Sequence, residues 1–124
     1  MSDLTGAWLG TYWQDDQPTR FELTLLQGGN SLQGSILDDN HLGEANLSGT
    51  VAGRRIEFVK KYLAGGGHTV NYVGTVAEDE NSIQGTWQIR HFFGALSGSW
   101  EAHRAGDNLT LAIENLLSIA DTVR

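Results

Sequence analysis

Asp38, Lys60 and Tyr62 are polar or ionisable residues whose spacing sets them among large apolar neighbours. Lys60 and Tyr62 share the alternation of Ile56 and Phe58, and Asp38 shares that of Leu32 and Ile36. In a strand, side chains two apart point the same way, so all three face inward with the apolar set. A carboxylate and an amine in a dry cavity become acid–base groups when burial shifts their pKa values. Desolvation lowers that of lysine. The lysine stem can equally carry its ammonium out to a rim, and the sequence leaves both placements open.

Other chemistry is harder to build. His41, His68 and His91 fall in three different connections, without the i, i+2 or i, i+4 spacing that sets two ligands on one metal. No metal and no cofactor is expected. No serine sits on a nucleophile elbow, and Gly65-Gly66-Gly67 lacks the lysine and following helix of a phosphate loop. No catalytic residue is assigned. The inward aromatic residues Tyr12, Phe58, Tyr72 and Trp87, with Asp38, Lys60, Tyr62, His68 and His91, form the candidate lining of a ligand site.

The elements that would hold these residues are strands. Six times the chain repeats apolar, any residue, Gly, Ser or Thr, apolar, as in Leu32-Gln33-Gly34-Ser35-Ile36 and Ile83-Gln84-Gly85-Thr86-Trp87. Period-two alternation and turn residues predict strands over 6–13, 20–27, 31–38, 43–51, 54–62, 69–77, 82–90 and 95–104. No helical period interrupts them, which predicts an antiparallel meander, closed so that no long edge is exposed. A glycine in a strand costs roughly 0.5–1 kcal/mol relative to alanine. Two compatible reasons offset that cost: kinks that curl a small barrel, and room for a ligand among the rings. The interior face runs through Trp8, Tyr12, Leu23, Leu47, Phe58, Tyr72, Trp87, Leu96 and Trp100. Leu9, Trp13, Leu37, Val59 and Val73 fall outside.

After Gly106 the pattern changes to Leu109, Ile113, Leu116, Leu117, Ala120 and Val123, which predicts an amphipathic helix over 107–123 capped by Asp107. The fold class is therefore all-β: one domain, a closed eight-stranded antiparallel up-and-down barrel at 6–104 with a C-terminal α-helix.

Composition limits the partners. The 124 residues carry a net charge of −7, which speaks against nucleic acid. The apolar runs are far too short for a bilayer helix, so no membrane partner is expected. Cysteine is absent and no signal-peptide pattern opens the chain, which leads to a cytoplasmic expectation.

The ends of the barrel differ. Trp8 and Arg104 meet at one end, with tight turns at 28–30, 52–53 and 78–81. The opposite end carries connections 15–19, 39–42, 63–67 and 92–94, the three histidines, and the inward Gln14, Asp38, Lys60 and Tyr62. Function is expected there.

The ordered series Gly6-Ala7-Trp8, Phe58-Val59-Lys60-Lys61-Tyr62, Tyr72-Val73-Gly74 and Ile83-Gln84-Gly85-Thr86-Trp87 resembles avidin and streptavidin, and more broadly the calycins, which include lipocalins. The resemblance covers residues 6–104. Lipocalins also stack a late arginine on an early tryptophan, which implies a structural pair of Trp8 and Arg104 at the closed end. Avidins hold biotin with polar side chains from the early strands. The matching positions here are Gly10 and Ile36, and a late tryptophan that reaches a neighbouring subunit is matched by Leu96. The resemblance thus implies the scaffold without biotin binding.

The expected function is non-enzymatic binding of a small hydrophobic or aromatic ligand in the barrel cavity. Two other classes remain open: an isomerase or cyclase using a dry cavity, and a structural or subunit-interaction module with a filled barrel. Outward apolar residues and the C-terminal stripe predict a homodimer or dimer of dimers, with the helix covering either its own barrel or a neighbour.

Overall fold

The computed structural model describes residues 3–40, 43–64, 68–91 and 94–105, apart from the His91 side chain. These residues form β1 (Gly6–Gln14), β2 (Gln17–Gly28), β3 (Ser31–Asp38), β4 (Glu44–Ala52), β5 (Arg55–Tyr62), β6 (Thr69–Val76), β7 (Ser82–His91) and β8 (Gly94–Arg104). Each strand pairs antiparallel with its sequence neighbours, and β8 returns to β1, closing the barrel. The eight expected strands are all present within a few residues of their expected limits. The helix expected over 107–123 lies outside the described residues. Among the described residues no helix is long and apolar enough to cross a membrane.

One expected loop is a correction. Residues 15–19 were to form a connection of five, but β2 begins at Gln17 and Trp13 pairs with Pro18. Asp15 and Asp16 both take positive φ, 49° and 65°. Positive φ at both central residues makes a two-residue turn whose twist matches that of the flanking strands.

β5 shows how alternation becomes a wall. Its residues alternate exposed and buried without exception, from exposed Arg55 to buried Tyr62. Ile56, Phe58, Lys60 and Tyr62 go inward while Glu57, Val59 and Lys61 stay outside. The interior is filled by large rings: Phe58 and Tyr72 stack with centroids 4.8 Å apart, and Trp100 meets both edge-on. The Trp100 indole donates to the Val73 carbonyl at 2.9 Å, so burial leaves its polar atom satisfied.

The closed end is plugged as expected, with an addition. Arg104 lies over the Trp8 ring, 4.5 Å from its centroid, and donates to the carbonyls of Glu80, Thr5 and Asp3. Leu4, which precedes the first strand, is buried beneath them and accepts the Trp8 indole N–H at 3.0 Å. The guanidinium thus ties the start of the chain, the 77–82 turn and the last strand together.

The glycines are positions of close approach. A Cβ on Gly34, Gly49 or Gly85 would stand 2.0, 1.9 or 1.8 Å from a carbonyl oxygen of the adjacent strand. At Gly10 it would meet the Phe21 ring at 2.2 Å, and at Gly98 the Trp13 carbonyl at 2.1 Å. Of the two reasons weighed for these residues, the sharp curl of the sheet accounts for the geometry, and the space beside the bare backbone is taken by neighbours. Gly85→Ala should therefore lower stability by about 1–3 kcal/mol or more, because the obstructing atoms are backbone and cannot swing away. Urea unfolding measures it, and an unchanged midpoint would contradict this account of the glycines.

Two residues expected inside are not. Leu96 is 42% exposed and Gln14 is exposed. The β1–β8 ladder ends at Tyr12↔Trp100, so both residues lie past the rim, where inward parity no longer means burial. Of the apolar residues expected outside, Leu37 and Val59 are exposed while Leu9, Trp13 and Val73 are half-buried.

Candidate functional site

Three strands that are not adjacent in the barrel, β1, β3 and β5, and the connection after β3 bring the polar cluster together. Asp38 ends β3, Lys60 and Tyr62 sit on the inward face of β5, and Tyr12 faces them from β1. Lys60 is fully buried and Asp38 nearly so, at 0% and 4% exposure. The Lys60 ammonium donates to both carboxylate oxygens, at 2.8 Å to Oδ1 and 2.7 Å to Oδ2. Tyr62 and Tyr12 donate their hydroxyls to Oδ2, the latter at 3.1 Å. Lys60 Nζ also lies 4.8, 4.5 and 5.7 Å from the ring centroids of Tyr12, Tyr62 and Tyr72. Of the two placements open for Lys60, the buried one is found. An ammonium enclosed by rings and a carboxylate is held by cation–π attraction as well as by its ion pair.

Backbone bonds fix the carboxylate. The Asp38 amide donates to the Gly43 carbonyl at 2.9 Å and the Asp39 amide to that of Arg20 at 2.8 Å. Asn40 was not singled out from the sequence, yet its Nδ2 donates to the Tyr12 hydroxyl at 2.9 Å. Its one signal was a side-chain amide two residues beyond an inward aspartate. Such signals are weak, because Asn is common in turns for its own backbone reasons.

Electrostatics follow from the dryness of the site. Burial pushes the Lys60 ammonium below the usual lysine range, and the Asp38 carboxylate works against that shift. The Tyr62 phenol is pushed far up by burial and by its hydrogen bond to Asp38. Tyr72 rises through burial and then through the negative charge of Asp38. Tyr12 rises mainly through burial, and the negative charge of Asp38 adds to the rise. A phenolate beside a buried carboxylate would be a second unpaired anion, and the site resists forming it.

The other candidates divide. Phe58 stacks on Tyr72, and Trp87 meets Tyr12 edge-on at 6.4 Å, so both border the cluster. The Trp87 indole donates to the Trp13 carbonyl at 3.0 Å, which draws the end of β1 over the rim. His68 is exposed, and its carbonyl accepts the Tyr62 amide at 2.9 Å; it shares the parity of inward Val70 but lies before β6 begins, where parity no longer means burial. His91 belongs to β7 with its side chain outside the described residues, as is His41 altogether. No group of three or more metal-binding side chains occurs among the described residues.

Chemically, the cluster is closed on itself. No buried side-chain nitrogen or oxygen among the described residues lacks a hydrogen-bond partner. A nucleophilic amine needs a free lone pair and a path to its substrate, and Lys60 as placed has neither. The clefts of about 670 and 740 Å³ open on the outer wall. The first lies over β8, β1, β2 and β3 beside Leu9, Arg20, Leu37 and His103, and the second over β4 to β8 beside Val59, Asn71, Thr86 and Gln88.

These features define an eight-stranded antiparallel β-barrel with a tryptophan–arginine plug at one end and a buried lysine–aspartate pair towards the other. No protein-family model matches the chain, and no curated protein matches it either.

Proposed function

We propose that this protein is a non-enzymatic interaction module, a filled barrel of avidin- or lipocalin-like type whose working surfaces lie on its outside. The observation that supports this reading is the occupation of the interior. The stacked Phe58–Tyr72 pair, the Trp100 ring and the Asp38–Lys60 pair stand where a lipocalin-type ligand would sit. Side chains from Tyr12 to Trp100 along the core are 8% exposed or less, which leaves little wettable surface inside.

A second reading is favoured by one contact. Asn40 reaches the Tyr12 hydroxyl from the 39–43 connection, so a small apolar or aromatic ligand that displaced it would rest on Tyr12 and Trp87. One experiment separates the two. The protein is incubated with a metabolite extract, desalted and weighed by native mass spectrometry. The filled barrel predicts the bare polypeptide or its multiples. A stoichiometric retained compound, released by Tyr12→Leu and held as tightly or tighter by Asn40→Ala, overturns it in favour of the ligand site.

A further inference from the structure

β7 and β8 run on past the rim as a two-stranded arm. The last β6 partner of β7 is Gln88, paired with Asn71, and the last β1 partner of β8 is Trp100. Beyond those points Ile89, Arg90 and His91 pair only with Leu96, Ala95 and Gly94. The outer edge of β8 from Gly94 to Ser97 has no ladder partner among the described residues, while the Trp13 carbonyl of β1 still lies against Gly98. An isolated two-stranded ribbon is marginal in water, and a free edge is a template for another strand.

The composition of that edge is unusual for one left open. Gly94-Ala95-Leu96-Ser97 contains no charge and no proline, the usual devices against strand addition. Leu96 stands 42% exposed on it, opposite half-buried Ile89. In a chain of net charge −7, a neutral strand is where two copies can meet without opposing like charges. An antiparallel edge is also self-complementary, because rotation about a two-fold axis sets it against its own copy in pairing orientation.

We propose that the protein forms a two-fold homodimer in which the β8 edges of two copies pair antiparallel through Gly94–Ser97, joining the barrels by one continuous sheet. The inference rests on the reading that the outside of the barrel does the work, and it names the partner: a second copy of this chain.

The chain has no cysteine, so single-cysteine variants report proximity cleanly. Ala95→Cys, Leu96→Cys and Ser97→Cys are oxidised and run without reductant, beside light scattering of the parent at high micromolar concentration. The expected result is a dimer, with at least one of the three cross-linking nearly completely. Leu96→Lys, exposed and so compatible with folding, is expected to raise the dimer dissociation constant about tenfold or more. A monomeric parent overturns the proposal, as does a dimer that survives Leu96→Lys and cross-links at none of the three positions. Arm amides protected from exchange in a monomer, and exposed on truncation after Ala105, overturn it in favour of residues 106–124 as the cover. A retained small molecule would sink the filled-barrel reading while leaving the cross-linking result to stand by itself.

Discussion

Lys60→Met should destabilise the barrel by about 3–5 kcal/mol, the usual penalty for removing one partner of a buried ion pair. The methionine nearly matches the lysine stem in volume, so packing around Phe58 and Tyr72 is kept. What remains is the Asp38 carboxylate, 4% exposed, with two tyrosine hydroxyls as donors and no counter-charge. The double variant Asp38→Asn, Lys60→Met removes both charges and keeps an acceptor for Tyr62. It should recover at least half of the loss, because the cost lies in the orphaned charge rather than in a missing contact. Urea denaturation of the parent, both single variants and the double variant measures the coupling. A Lys60→Met loss below about 1 kcal/mol would show that the pair is not buried as described.

Raising the pH should unfold the protein cooperatively above about pH 10, and no tyrosine should titrate before it does. The chain has three tyrosines, and the phenols of all three are held above the ordinary value of 10.0, with Tyr62 and Tyr72 pushed furthest. A group whose folded pKa is raised contributes stability that is fully present below its unfolded value and is lost as the pH climbs beyond it. Lys60 acts in the opposite sense, since burial lowers its pKa from 10.5, so its contribution grows with pH until the unfolded lysine is neutral. Above that point Lys60 adds no further slope, and the tyrosines slope downward. Phenolate absorbance and the strand signal in circular dichroism should therefore change together in one step. A tyrosine that ionises reversibly near its ordinary value while the strands persist would refute this description of the cluster.

The strands were legible because alternation, turn residues and the repeated glycine pattern agreed over nearly every segment. Asp38, Lys60 and Tyr62 were legible as inward residues for the same reason. Parity, however, says nothing of depth along the barrel axis. Leu96 and Gln14 carry inward parity, yet they lie beyond the last β1–β8 pair and are exposed. Parity is also silent on register, and register makes the cluster. Asp38 meets Phe21 across β2–β3, and Lys60 pairs with Leu47 and Val70, so only the closed geometry of the whole barrel brings Asp38 and Lys60 together. Asn40 lies in an irregular connection with no alternation to mark it. The glycines were legible as bends, but their close neighbours, a carbonyl here and a ring there, come from strands whose approach no local pattern records.

The ladder that closes the barrel differs in kind from the other seven. Those seven join consecutive strands through short connections and can form as hairpins early, at small loop-closure cost. The β1–β8 ladder joins the first and last strands through five residue pairs, from Trp8↔Arg104 to Tyr12↔Trp100. The meander must be largely assembled before that seam can close, so seam formation belongs late in folding. By the same argument it is the line along which the native barrel parts most readily, short of global unfolding. Arg104 sits at the end of this line with its guanidinium across Trp8. It serves as a latch on the seam that closes last, and its loss would register first in the rate of opening.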